Sequence, residues 1–310
     1  MFDLAAARAA ITAHGPIARV VIAAVAGSSP REVGASMLVW PAGQSGTIGG
    51  GALEYQAAAR ARDMLAKGQS QTLTREALGP SLGQCCGGTV TLLTELFDTN
   101  TLPNTEVFAR ATDASPMPLA ISRLLASARN QGRPPASGLT QGWMVEPIAK
   151  PTRPLWVWGA GHVGRALVQT LAPLPDFAIT WVDVHADRFP PDSPEGVTML
   201  PATDPAQVLK HAPENAEHLI LTYSHTLDLA LCHAALSHGF GACGLIGSKT
   251  KWARFRNRLA TLGHAPTTIA RITCPIGDPA LGKHPQAIAI GVAGQLLLPH
   301  RIGLRQETAI

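Results

Sequence analysis

The sequence predicts an α/β protein: an N-terminal α+β domain followed by a doubly wound, parallel-sheet domain. Three observations predict it. Short β-rich runs broken by turn residues fill most of the first hundred residues. From Leu155 onward, apolar strand-like runs alternate with helical patterns, as in a parallel sheet covered on both faces. At the first strand–helix junction of that second part, Gly159-Ala160-Gly161-His162-Val163-Gly164 fits G-x-G-x-x-G, following a strand and opening a helix. That context makes the second domain Rossmann-like.

The elements follow in order. Asp3 to Thr12 is alanine-rich and helical, and Arg19 to Ala26 is a buried strand. Ser28-Ser29-Pro30-Arg31-Glu32 is a turn, Ser36 to Trp40 a second strand, and Pro41 to Gly46 a hairpin-like loop. Gly49-Gly50-Gly51 opens a helix from Ala52 to Lys67 that stops at Gly68. Strands at Gln71 to Ala77 and Thr89 to Phe97 flank Gly83-Gln84-Cys85-Cys86-Gly87-Gly88. Residues 1–110 are assigned to the first domain, 111–153 to a connecting segment and 154–310 to the second domain. The connecting segment is turn-rich, with strands expected at Leu119 to Leu125 and Trp143 to Ile148, and Lys150 to Pro154 reads as the linker. The second domain is read as strands at Leu155 to Trp158, Phe177 to Val184, His218 to Thr222 and Gly241 to Ile246. Its helices are expected at His162 to Leu171, Leu227 to His238, Lys249 to Leu262 and Pro285 to Leu298.

Composition bounds the function. With 310 residues, 46% hydrophobic and 15% charged, the chain can bury a sizeable core. A net charge of +4 suits an anionic small molecule or an acidic partner, and two tyrosines and seven phenylalanines argue against base-stacking platforms for nucleic acid. Five cysteines, an odd number without the spacing of a disulfide framework, point to a reducing, cytoplasmic setting. No apolar stretch is long enough to span a bilayer, so no membrane role is expected.

The paired cysteines are the most unusual feature. Glycine allows close backbone approach and positive φ, and thiols bring soft-donor and nucleophilic chemistry. Two readings stay open at this point: a tight turn with inert thiols, or a site of sulfur or metal chemistry. Gly46-Thr47-Ile48-Gly49-Gly50-Gly51 leads into a helix whose free N–H groups favour anions. No Gly-Lys-Ser/Thr follows, so it is not a P-loop. Glu54 in the first helical turn suits the helix dipole and would repel phosphate if turned inward. Arg31 offers a guanidinium to a phosphate or carboxylate.

In the second domain Gly159, Gly161, His162 and Gly164 form a nucleotide-type turn. Asp183 stands about 20 residues on, where a ribose-binding carboxylate would favour NAD over NADP. The cysteines lack paired zinc-ligand spacing, and Tyr223-Ser224-His225 lacks the glycine elbow of an acyl-transfer serine. Lys249 to Arg258 is strongly basic with Trp252, Phe255, Leu259 and Leu262 at helical spacing, giving a packed face and a charged one that could dock an acidic partner.

These motifs in this order resemble the xanthine dehydrogenase accessory proteins, the XdhC/CoxI-like family. The resemblance rests on Gly27-Ser28-Ser29-Pro30-Arg31, the Gly46 to Glu54 run, and Leu82-Gly83-Gln84-Cys85-Cys86-Gly87-Gly88. Further along it rests on the Gly159 to Gly164 turn, Ile246-Gly247-Ser248-Lys249-Thr250-Lys251 with Arg254-Phe255, and Pro275-Ile276-Gly277. Two places depart: Asp278-Pro279-Ala280-Leu281, where many members look like Leu-Asp-Ile-Gly, and His185, where arginine is frequent.

The resemblance implies a molybdenum-cofactor chaperone. Such a protein binds molybdopterin-type cofactor, protects it during sulfuration and inserts it into the apo xanthine dehydrogenase molybdenum subunit, with a cysteine desulfurase supplying sulfur. The cofactor would be carried rather than used. Cys85, Cys86, Gln84, Gly49, Gly50, Gly51 and Arg31 are the expected contacts, with Cys85 and Cys86 at the molybdenum. The alternative is an NAD(P)-dependent oxidoreductase using Gly159, Gly161, His162, Gly164 and Asp183. A symmetric homodimer is the commonest soluble assembly and is the expectation if the chain self-associates.

Overall fold

Strand β1 (Ile17–Ala26) is buried along almost its whole length because its run of Val, Ile and Ala lies at the centre of a sheet. The computed structural model describes residues 1–79, 87–113 and 115–298, and the chain divides into two units, Met1–Ala149 and Lys150–Ile310.

The first unit begins with α1 (Leu4–His14), whose N-terminus is capped by the Asp3 carboxylate accepting from the Ala6 N–H at 2.9 Å. After β1 come β2 (Ser36–Trp40), β3 (Gly43–Gly46), α2 (Gly51–Lys67), β4 (Gln71–Ala77) and β5 (Thr89–Phe97). The order β3-β2-β1-β5-β4 makes an antiparallel sheet of five strands. Helix α2 lays Leu53, Ala57, Ala58 and Ala61 on one face, against Val20, Ile22, Met37 and Leu92; the alanines let the helix approach closely.

Next come β6 (Val107–Ala111), α3 (Leu119–Gln131), β7 (Gly138–Thr140) and β8 (Trp143–Pro147), whose strands form a second sheet in the order β6-β8-β7. Met144 packs there against Val21, Ala23 and Leu93 of the first sheet. The two sheets are also joined by a buried ion network: Arg19 donates to both Glu146 oxygens at 2.9 and 2.7 Å, and Arg110 bridges Glu95 and Glu146.

Residues Leu119 to Leu125, expected as a strand, are the start of α3. Pro118 sets the extended entry, and the straight-chain and alanine residues of LAISRLLASARNQ favour helix, with only Ile121 fully buried. Much of the expected connecting segment 111–153 therefore carries elements of the first unit, which extends to Ala149.

The second unit runs β9 (Arg153–Trp158), α4 (His162–Leu171), β10 (Phe177–Asp183), β11 (Thr198–Pro201), α5 (Pro205–Val208), β12 (Glu217–Ile220), α6 (His225–His238), β13 (Ala242–Leu245), α7 (Lys249–Thr261), α8 (Pro266–Ile269), β14 (Ile272–Thr273) and α9 (Pro285–Leu297). The order β11-β10-β9-β12-β13-β14 is all parallel, and the winding reverses between β9 and β12. One face is covered by α4 and α9 through Leu167, Leu171, Ala289 and Val292, the other by α6 and α7 through Leu231, Ala235, Phe255 and Leu259. Arg153, expected in the linker, already belongs to β9 and donates to Glu217 and to the Leu296 carbonyl. Among the described residues no helix is long and apolar enough to cross a membrane.

Candidate functional site

Two loops of the first unit, and the two flanks of the cysteine segment, meet at one end of the five-stranded sheet. β1 runs out into Gly27-Ser28-Ser29-Pro30-Arg31, β3 into Thr47 to Gly50, and β4 and β5 flank the cysteine segment. The flanks are held together by the Leu78 N–H donating to the Gly88 carbonyl at 2.8 Å. Gly88 lies so close to Ser28 that a Cβ would collide with the Ser28 carbonyl. A Cβ on Gly49 would meet Pro30 at 2.6 Å and the Arg31 side chain at 3.6 Å. Gly27 to Arg31 therefore packs against both the Gly49 loop and the Gly88 flank of the cysteine segment. Gln84, Cys85 and Cys86 lie outside the described residues.

The glycine triplet has φ of +121°, +73° and +67° at Gly49, Gly50 and Gly51, a path that side chains resist. Two of its N–H groups are engaged, that of Gly49 by the Thr47 hydroxyl at 3.0 Å and that of Gly50 by Glu54. Glu54 folds back from α2, and its Oε2 accepts from the N–H groups of Ile48 and Gly50, both at 3.0 Å, and from the Thr47 hydroxyl. These bonds hold the carboxyl below its usual range against the opposing effect of burial. The anion suited to this helix N-terminus is thus part of the chain. Arg31 sits beside the triplet, and its guanidinium pairs with the neighbouring Glu32 at 3.1 Å.

In the second unit the glycine turn divides its labour. Gly159 has φ +117°, and a Cβ there would strike the Leu221 carbonyl at 2.6 Å; one on Gly164 would collide with the Gly159 carbonyl. Both serve close packing of strand and helix. Gly161 differs: a Cβ there meets nothing within 4 Å. His162, the next residue, is exposed to solvent. Asp183 ends β10 where expected, but its carboxylate turns inward, 5% exposed, accepting from the Ala160 N–H at 2.5 Å and the Val184 N–H at 2.7 Å.

The XdhC and CoxI family matches residues 10–75, and the XdhC Rossmann domain matches residues 155–296, about two thirds of the chain together. The chain is an XdhC/CoxI-like protein. A crystal structure of a xanthine dehydrogenase from Bacillus halodurans has the same fold across both units: TM-score 0.69 at 21% identity, covering 96% of this chain and 95% of that one. A curated relative from Escherichia coli K12, the uncharacterized protein YqeB, is 29% identical over 140 residues. That match takes in 45% of this chain and 26% of YqeB, so the chain spans about a quarter of that relative's length.

Motif reading missed a second polar centre in this XdhC/CoxI-like protein. Lys251, within the Gly-Ser-Lys-Thr-Lys run, turns away from its basic neighbours. It donates to Asp228 at 2.5 Å and to the Ile246 carbonyl at 2.9 Å. Asp228, fully buried in α6, also accepts from the Thr222 N–H and hydroxyl. The pair ties the loops after β12 and β13 to α6 and α7. A short acidic residue one turn into a Ser-capped helix was the available signal. Cys232 and Cys243 are buried and Cys274 half-buried; burial raises all three thiols, Cys243 to about 12 and Cys274 to about 11, which makes them poor nucleophiles. Among the described residues no group of three His, Cys, Asp or Glu could hold a metal ion.

Proposed function

We propose that this XdhC/CoxI-like protein is an accessory factor of a xanthine dehydrogenase-type molybdenum enzyme. It carries molybdopterin-type cofactor as cargo, protects it while a sulfur replaces a terminal oxo ligand, and hands it to the apo molybdenum subunit. A cysteine desulfurase is the proposed sulfur source. The observation that carries this reading is the meeting of Gly27 to Arg31, the Gly49-Gly50-Gly51 loop and both flanks of the Cys85-Cys86 segment at one sheet end. Thiols suit a soft molybdenum–dithiolene end, and a loop with open space at Gly50 suits close approach of a flat pterin. Because Glu54 fills the helix N-terminus, the cofactor's phosphate is assigned to Arg31, which is free to exchange its exposed Glu32 partner. Gln84 is kept as a further contact.

The test is retention of cargo. The chain is purified from cells that make the cofactor, and pterin and molybdenum are assayed per chain. Wild type is expected to retain both, and Cys85→Ala and Cys86→Ala to lose most of the molybdenum. Wild-type retention in both variants would sink the thiol role, and no pterin on the wild-type chain would sink the carrier reading.

A further inference from the structure

The second unit carries a groove of about 320 Å³ between α6 and the pair formed by α5 and the 3-10 turn that follows it, Leu209–His211. Both sides belong to the face of the sheet covered by α6 and α7, whereas the glycine turn opens α4 on the other face. The size is at the small end of the range for small-molecule pockets. Gln207 and Lys210 line one side, and His233, Ser237 and His238 the other. Leu209 is buried in the core beneath, which leaves its neighbour Lys210 on the outside.

Among the described residues no Asp or Glu lines this groove, and Lys210 makes no ion pair or hydrogen bond. The α6 wall is braced by its own backbone. His238 donates from Nε2 to the Ala212 carbonyl at 2.8 Å, and the Ser237 hydroxyl donates to the His233 carbonyl at 2.9 Å. His233 is also fixed by a second ring: its Nδ1 lies 2.7 Å from Nε2 of His264, in the loop after α7, so one imidazole donates to the other. One further proton enters this pair at an outer nitrogen and leaves the bridging hydrogen bond intact. The singly protonated pair then carries one positive charge and an N–H at His233 Nε2. Burial, with His233 adding to the shift, holds His264 below the ordinary histidine range, and an anion beside the pair would favour its charged form. With Lys210 and His238, these two rings are the titratable groups at the groove among the described residues.

We propose that this groove binds a tetrahedral oxyanion, the phosphate or sulfate group of a small ligand. Lys210 meets the anion from the turn after α5, and the His233–His264 pair meets it from α6. An ammonium and the N–H of a charged imidazole are donors that such an anion takes in charge-assisted hydrogen bonds. Anion binding here is independent of the cofactor-carrier reading, which concerns loops of the first unit and is measured by pterin retention.

The full-length chain is titrated by calorimetry at constant ionic strength with sulfate, which keeps its charge between about pH 8 and 6 while histidine titrates. Sulfate is expected to bind several-fold more tightly at the lower pH, with proton uptake read as a heat that differs between buffers. Lys210→Ala and His233→Gln should each weaken it about tenfold, the worth of one charge-assisted hydrogen bond. His233→Gln should also remove most of the proton uptake. Lys210 is exposed, so its variant keeps the fold. Arg123→Ala, which removes an exposed charge on α3 of the first unit, should bind as wild type does. Inorganic phosphate and glycerol phosphate separate the sources. Tighter binding of glycerol phosphate assigns the group to a larger ligand, and equal or weaker binding assigns it to the free ion. No binding of any of the three at millimolar concentration, wild-type affinity in Lys210→Ala or in His233→Gln, or an equal loss in Arg123→Ala would overturn the proposal.

Discussion

Glu54 and Asp183 play matching parts in the two units, each a carboxylate folded onto N–H groups of a glycine loop. Residue types and spacing reveal both loops, but not that their polar groups are already engaged. Two other buried residues set the pH response. Glu146, held by Arg19 and Arg110 against the cost of burial, is lowered to about 2. Its contribution is full above the ordinary carboxyl range near 4.5 and is lost as pH falls toward 2, up to roughly 3 kcal/mol. In urea titrations from pH 6 to 2.5, the gap between wild type and Glu146→Gln should therefore narrow as the pH drops. His218, buried and accepting from the Trp158 indole N–H at 3.1 Å, is pushed down to about 4 by burial, with His238 adding to the shift. A ring kept neutral in the fold stabilises fully above pH 6.5 and loses that contribution as pH falls from 6.5 to 4, again by roughly 3 kcal/mol. His218→Gln keeps an acceptor for Trp158 and should flatten this part of the profile; parallel declines in the two proteins would count against it.

Among the elements, α6 and α7 depend most on one contact. Lys251 and Asp228 are both withdrawn from water, so removing one leaves the other charge buried and unpaired. Lys251→Met is expected to cost about 3–5 kcal/mol in chemical denaturation, and adding Asp228→Asn should restore much of it. If the double variant is no more stable than the single one, the pair is not what couples these helices. The basic run over α7 divides in part as its periodicity indicates, with Phe255 and Leu259 buried and Arg254, Arg256 and Arg258 exposed, but Leu262, expected on the packed face, lies past the helix end and is 50% exposed. Element type was mostly legible because it follows from local chemistry: β4 and β5 in the first unit and α4 in the second have the bounds that turn residues and periodicity predict. Two exceptions stand out: Gly43–Gly46, read as part of a loop, is strand β3, and α3 has apolar residues dense enough to suggest a strand, yet only one of them is buried. Short β11 and β14 carry too few residues for a period to be read.

At the scale of the whole molecule, each unit has its own core, built on two sheets in the first unit and one in the second. Residues 150–310 expressed alone should therefore unfold cooperatively, with an α/β circular dichroism spectrum. A broad, non-cooperative melt would show that this unit needs the first to fold. By itself the sequence determined the α+β and parallel-sheet architecture, the family and the positions of the glycine loops, because strand and helix periods and glycine punctuation are properties of neighbouring residues. Only the tertiary structure decided which polar groups are free. The partners that engage them are often remote in the chain: Glu146 is 127 residues from Arg19, and Asp183 is 23 from Ala160. Burial makes such pairings obligatory, since an unpaired buried charge costs more than the fold can spare, and no local pattern records where the partner lies.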